Sequence, residues 1–203
     1  MLHGVDLAVP AGRVTGLGGP SGSGKTTLAR VLTGLLEPEA GQVTVDGEPL
    51  ASRRGRMSGE VLMLFQSPRR SCNPHRTLRQ LAWEPLTAGA SGRTREAPGT
   101  ADLVARAWSL AGLTDDLLDR LPGEVSLGQL QRVALARVLV AKPRYLICDE
   151  ATAMLDALTT AALVDVLRGE VADGLGILAI SHDEALLAAW ADSVHDIRDL
   201  SRA

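Results

Sequence analysis

Apolar and polar positions change period several times along the chain, and the changes lay out its elements. Val14 to Leu17 is a short apolar run that enters glycines, which predicts a strand. From Lys25 to Leu35, Leu28, Val31, Leu32 and Leu35 recur on one helical face, so this stretch predicts a helix. Pro38 and Gly41 close that unit. Gln42 to Val45 alternates like a strand and meets the turn dipeptide Asp46-Gly47. Val61 to Phe65 is continuously apolar, as a strand buried on both faces would be.

The character then shifts. Residues 66 to 76 are rich in Arg, Ser and Pro, Leu78 to Leu86 predicts a short helix, and Thr87 to Thr100 reads as an exposed linker. Helices are expected at Ala101–Ala111, Asp115–Leu121 and Gly128–Ala141, the last ended by Pro143. Strand character returns at Tyr145–Cys148, which ends in Asp149-Glu150. Leu158–Leu167 is a helix, Gly176–Ile180 a strand and Glu184–Ala191 a helix. There is no internal repeat. The pattern predicts one α/β domain with a parallel sheet. Residues 1–66 and 128–203 form its core and 67–127 a helical insertion.

Composition narrows the class. The 203 residues suffice for a buried core. A hydrophobic fraction of 45% with 22% charged residues is that of a soluble globular chain. A net charge of −3 argues against a nucleic-acid partner. Two distant cysteines, Cys72 and Cys148, form neither a disulfide framework nor a zinc pattern and fit a reducing compartment. No apolar run reaches membrane-span length, and the start shows no signal-peptide pattern, so a cytoplasmic location is expected. The basic charge is uneven: Arg53 to Arg79 holds seven arginines and one acid, Glu60. That stretch is either a solvated face or a docking surface for an acidic partner or lipid headgroups.

Two segments carry candidate chemistry. Gly19-Pro20-Ser21-Gly22-Ser23-Gly24-Lys25-Thr26 fits the phosphate-loop pattern G-x-x-x-x-G-K-[ST], between a strand and an amphipathic helix. Glycines let successive N–H groups converge on phosphate, and the helix N-terminus adds partial positive charge. Lys25 would reach the β- and γ-phosphates, and the Thr26 hydroxyl would hold Mg²⁺. Asp149 and Glu150 end an apolar strand, where ligands bind in parallel sheets. Asp149 would hold Mg²⁺, and Glu150 would act as general base toward water. As isolated features, the two acids would equally serve as helix caps.

The remaining motifs give the type of nucleoside triphosphatase. Ser126-Leu127-Gly128-Gln129, running on as Leu-Gln-Arg-Val-Ala-Leu-Ala-Arg, resembles the signature of ATP-binding cassette (ABC) proteins. It also reads as a Ser-x-x-Gln capping box. Gln66 matches the family's Q-loop, Ala153 to Asp156 its D-loop, and Ile180-Ser181-His182-Asp183 its switch histidine. Singly, Asp156 reads as a helix cap and His182 as a surface histidine; order and spacing give them weight. The resemblance covers almost the whole chain and implies a P-loop NTPase with a RecA-like core.

It further implies two such domains pairing head to tail, as a homo- or heterodimer, around two ATP molecules. Gly19 to Thr27 would bind the nucleotide in cis. Ser126, Gly128 and Gln129 would complete the partner's site, and Asp156 would bridge the interface. Gln66 would sense Mg²⁺ and the attacking water, and His182 the γ-phosphate. The implied assembly adds integral membrane permease subunits, an extracytoplasmic substrate-binding protein and a position at the inner membrane face. Gln66 to Leu78, with Asn73-Pro74, and then Glu84-Pro85 resemble the peptide and nickel importer group. Alternatives are a weakly hydrolysing partner subunit or the ATPase of a soluble complex.

Two departures bear on activity. Leu127 replaces the first signature glycine, so a side chain stands where the partner's γ-phosphate should approach backbone. The family carries an adenine-stacking aromatic upstream, whereas no Tyr or Phe precedes Phe65 here.

Overall fold

The structure, a computed structural model, describes residues 2–50, 59–87, 98–153 and 155–200. Arg53, Arg54 and Arg56 of the basic stretch, residues 88–97 of the expected linker and Met154 lie outside the described residues. Along the chain come β1 (Val14–Gly18), α1 (Lys25–Leu32), β2 (Thr44–Val45), β3 (Glu48–Pro49) and β4 (Val61–Leu64). Then follow α2 (Leu78–Thr87), α3 (Thr100–Leu110), α4 (Leu127–Ala141), β5 (Tyr145–Asp149) and α5 (Ala157–Ala172). The last elements are β6 (Gly176–Ile180), α6 (Glu184–Trp190), β7 (Ser193–Asp196) and α7 (Ile197–Leu200). This is the expected α/β alternation. It divides into two compact units, Met1–Met63 with Arg144–Glu150 and Glu170–Ala203, and Leu64–Pro143 with Ala151–Gly169.

The first unit is built on a sheet of order β4-β5-β6-β1-β7, in which β5–β6, β6–β1 and β1–β7 pair in parallel. β1 and β6 are buried at every position, which is why their sequences are near-continuously apolar. Register matters most for function. Asp149 lies opposite Ile180, Ile180 opposite Leu17, and Leu17 opposite His195. The strands therefore end level, and the loops that follow β1, β5 and β6 leave from one edge.

Some elements differ from expectation for local reasons. α1 ends at Leu32, not Leu35. The Thr33 hydroxyl donates to the carbonyls of Ala29 and Arg30, and Gly34 turns the chain at φ 75°. The strand at 42–45 shrinks to β2, which pairs with β3 across Asp46 (φ 50°) and Gly47 (φ 89°), a left-handed pair suited to a two-residue hairpin. Asp115–Leu121 is only a 3-10 turn at Asp115–Leu117. The carbonyls of Leu118 and Arg120 accept from the N–H groups of Arg79 and Leu78 at the start of α2. The segment itself is closed by bonds three residues back, Leu118 N–H to the Asp115 carbonyl and Arg120 N–H to the Leu117 carbonyl, and Pro122 has no N–H with which to extend a helix. β7 and α7 were not foreseen, because Ser193-Val194-His195-Asp196 is too short and too polar to announce a strand.

In the second unit α4 packs against α2 and α3. Leu78 and Leu81 of α2 and Leu130 and Leu135 of α4 are fully buried. Arg137 of α4 ties three segments together. It pairs with Glu84 of α2 at 2.7 Å, donates to the Ser71 carbonyl at 3.0 Å and lies 3.8 Å from the Cys72 sulfur.

Candidate nucleotide site

The phosphate loop takes the shape its glycines permit. Gly19 (φ 129°), Gly22 (φ 78°) and Gly24 (φ 99°) all lie in the left-handed region, and Gly24 is the N-cap of α1. A Cβ at Gly19 would stand 2.7 Å from Ile197 Cγ2, and one at Gly24 2.8 Å from Leu2 Cγ. Both glycines are thus demanded by backbone conformation and by crowding. Pro20, Ser21, Gly22, Thr26 and Thr27 face outward, whereas Lys25 is buried. The Lys25 ammonium donates to the carbonyls of Gly19 and Pro20, at 2.7 and 2.9 Å. The hydroxyl of Ser23 is buried with no partner among the described residues. Incoming phosphate oxygens offer acceptors to both groups.

The strand end beside the loop supplies the acids. Asp149 is buried, and that burial pushes its carboxyl above the ordinary range. A hydrogen bond from the Thr26 hydroxyl opposes the rise, the Glu150 charge adds to it, and the charges of Arg30 and Lys25 oppose it. Thr26 and Asp149 therefore converge, a hydroxyl and a carboxylate, which is the hard-oxygen donor set that Mg²⁺ takes beside phosphate.

Glu150 sits at φ 48°, uncommon for a residue with a side chain, and its N–H donates to the Ile180 carbonyl at 3.0 Å. Its Oε1 lies 3.2 Å from His182 Nδ1. The carboxylate is mostly buried and the imidazole mostly exposed. The level strand ends explain this meeting, since Glu150 follows Asp149 and His182 follows Ser181 just past the paired residues Asp149 and Ile180. The first unit thus gathers Gly19 to Thr27, Asp149, Glu150 and His182 on one edge. That edge can bind phosphate, hold a divalent cation and place a carboxylate oriented by an imidazole near an attacking water.

The second unit holds the other expected residues. Gln66 is exposed two residues beyond β4. Ser126 and Gln129 form the capping box: Ser126 Oγ accepts from the Gln129 N–H at 3.1 Å, and Gln129 Oε1 accepts from the Ser126 N–H at 2.9 Å. Leu127 and Gly128 are the first residues of α4 and are half-buried. Asp156 accepts from the Thr159 N–H and hydroxyl at the start of α5, which holds its carboxyl below the ordinary range.

Sequence reasoning missed Leu2, Asp196 and Ile197 as neighbours of the phosphate loop. Asp196 is clasped by Arg198, at 2.6 and 2.9 Å, and its carboxyl is held down at about 2. Nothing local in the sequence marks these residues, because they reach the loop through the unforeseen β7 and through tertiary packing.

Among the described residues no helix is long and apolar enough to cross a membrane. Residues 2–153 match the family model described as ABC transporter. The chain is 36% identical over 199 residues to the nickel import ATP-binding protein NikE of Escherichia coli O6:K15:H31 (strain 536 / UPEC), covering 96% of this chain and 73% of that protein. Among solved structures, cbiO1 of Clostridium perfringens, described as part of the ABC transporter complex cbiONQ, superposes with a TM-score of 0.78 at 26% identity, over 96% of this chain and 77% of that one. A structure titled as the ATP binding subunit of an ABC transporter gives a TM-score of 0.82 at 24% identity, over 95% of this chain and 77% of that one, a likeness of fold.

Proposed function

The chain belongs to the ABC transporter family, and on that premise we propose that it is the ATP-hydrolysing subunit of an importer, acting at the inner face of a membrane. The observation that supports this most is the convergence of Lys25, Thr26, Asp149, Glu150 and His182 on one sheet edge. Gly19 to Thr27 bind the triphosphate. Lys25 exchanges its loop carbonyls for phosphate oxygens. Thr26 and Asp149, with Gln66, would hold Mg²⁺, which neutralises charge on the phosphates when bound. Glu150 takes a proton from the attacking water, and His182 orients that carboxylate and meets the γ-phosphate.

Ser126, Gly128, Gln129 and Asp156 act toward a second ATPase subunit in a dimer, and residues 67–127 are the inserted helical subdomain. Permease subunits and an extracytoplasmic substrate-binding protein complete the assembly. The likeness to a nickel import ATP-binding protein supports nickel as cargo, with peptides as the alternative.

Uptake measurements test this. Cells carrying the native chain should accumulate labelled nickel or labelled peptide, and the Lys25→Ala variant should abolish one of the two. Loss of neither would remove the transport reading and favour a soluble complex.

One observation favours a second reading, a partner subunit with weak turnover. Leu127 puts a half-buried side chain at the first turn of α4. Under this reading Leu127→Gly raises turnover severalfold. Unchanged turnover shows that the leucine is tolerated.

A further inference from the structure

A carboxylate with no part in the chemistry proposed above stands beside the phosphate loop. In the register of β1 and β7, Asp196 lies opposite Gly18, the residue that leads into the loop. An added Cβ at Gly19 would stand 3.5 Å from Asp196 Oδ1 and 2.7 Å from Cγ2 of the next residue, Ile197. Ile197 is buried, so its packing against Gly19 and the pairing of β7 with β1 hold Asp196 at the loop. The Lys25 charge reaches the Asp196 carboxylate. An open carboxylate here would repel a triphosphate and would compete with it for the Lys25 ammonium.

The carboxylate is not open. Among the described residues, the three hydrogen bonds that it accepts all come from Arg198. The Arg198 N–H and Nε donate to Oδ1 at 2.8 and 2.9 Å, and Nη2 donates to Oδ2 at 2.6 Å. This is the two-pronged fit of a guanidinium on a carboxylate. The Arg198 side chain is 71% exposed, and that of Asp196 25%. A pair so open to solvent contributes little to stability, so its consequence lies in the charge it cancels beside the loop.

We propose that Arg198 is a positioning residue for nucleotide binding, whose guanidinium masks the Asp196 carboxylate and so keeps the phosphate loop open to a triphosphate. The inference rests on the nucleotide-binding role proposed above for Gly19 to Thr27. A protein that binds no ATP even with Arg198 in place would overturn both, whereas binding that Arg198→Met leaves unchanged would overturn this inference alone.

The test is calorimetric titration of MgATP, with every variant made on Glu150→Gln to prevent turnover. Arg198→Met should raise the Kd about three- to tenfold, the effect of one uncovered negative charge within about a Debye length of the phosphates. Arg198→Lys keeps the positive charge without the fork and should stay within about twofold of the parent. Asp196→Asn/Arg198→Met should return to within about twofold of the parent, because the charge to be masked is gone. The ratio of the Arg198→Met Kd to the parent Kd should shrink between about 0.05 and 0.5 M KCl, as screening replaces the guanidinium. A loss that Asp196→Asn does not restore would mean that Arg198 shapes the loop or touches the nucleotide itself, and would overturn the proposal. A ratio that does not change with salt, or a loss in Arg198→Lys equal to that in Arg198→Met, would also overturn it.

Discussion

Breaking the Arg137–Glu84 pair should loosen the helical unit by a measurable and separable amount. The pair is short, at 2.7 Å, and its side chains are 23% and 28% exposed. A fully buried pair loses about 3–5 kcal/mol when one partner is removed, and an exposed pair is worth about 0.2–1 kcal/mol. Three-quarters burial places Glu84→Gln near 1.5 kcal/mol, roughly midway on a discounted scale, because the amide still accepts one bond. Arg137→Met should cost more, about 3 kcal/mol, since it also frees the Ser71 carbonyl and takes from Glu84 its 2.7 Å pair, a shorter contact than the one to Arg76 at 3.4 Å. The double variant should show a coupling of about 1–2 kcal/mol in a double-mutant cycle. Urea unfolding followed by tryptophan fluorescence measures it, with Trp83 and Trp108 in this unit and Trp190 of the first unit replaced by Phe. A coupling below about 0.3 kcal/mol would show that the pair is screened like a surface bridge, and the reasoning from burial would fail.

The other predictions are narrower. Lys25→Ala should weaken ATP binding by about 10- to 100-fold, the equivalent of about 1.5–3 kcal/mol for a charged hydrogen bond, read by calorimetric titration. Asp149→Asn should raise the melting temperature at neutral pH without metal. Burial lifts the folded pKa above the unfolded one, so ionised Asp149 lowers stability there, and the cost is shed as pH falls through the folded pKa. The gap between variant and wild type should therefore close on acidification; a gap that widens would reverse the sign. Cys72 and Cys148 should resist alkylation at pH 8 in the native protein and react in urea, because both are buried and burial pushes the Cys148 thiol up to about 12.

The parts legible in the sequence were those where chemistry and period coincide. The Gly19–Thr26 stretch demands its glycines both for backbone angle and for phosphate, so its pattern survives into the structure unchanged. β6 was placed residue for residue because a strand buried on both faces must be continuously apolar. In place of the helix expected at Asp115–Leu121 the chain makes bonds three residues back, and the carbonyls of Leu118 and Arg120 accept from the N–H groups of α2, long-range contacts that no local window contains. The contacts of Leu2 and Ile197 with the phosphate loop were illegible for the same reason. The meeting of Glu150 with His182 could be expected only through the family resemblance, since strand register, not spacing along the chain, brings them to 3.2 Å.

The most direct test of the central claim is MgATP hydrolysis by the purified chain beside Glu150→Gln, with ATP binding measured in both. If Glu150 is the general base, the variant should bind ATP as tightly as the wild type and lose about 100- to 10,000-fold in turnover. Equal turnover in the two proteins would contradict the assignment and require the proton to go elsewhere.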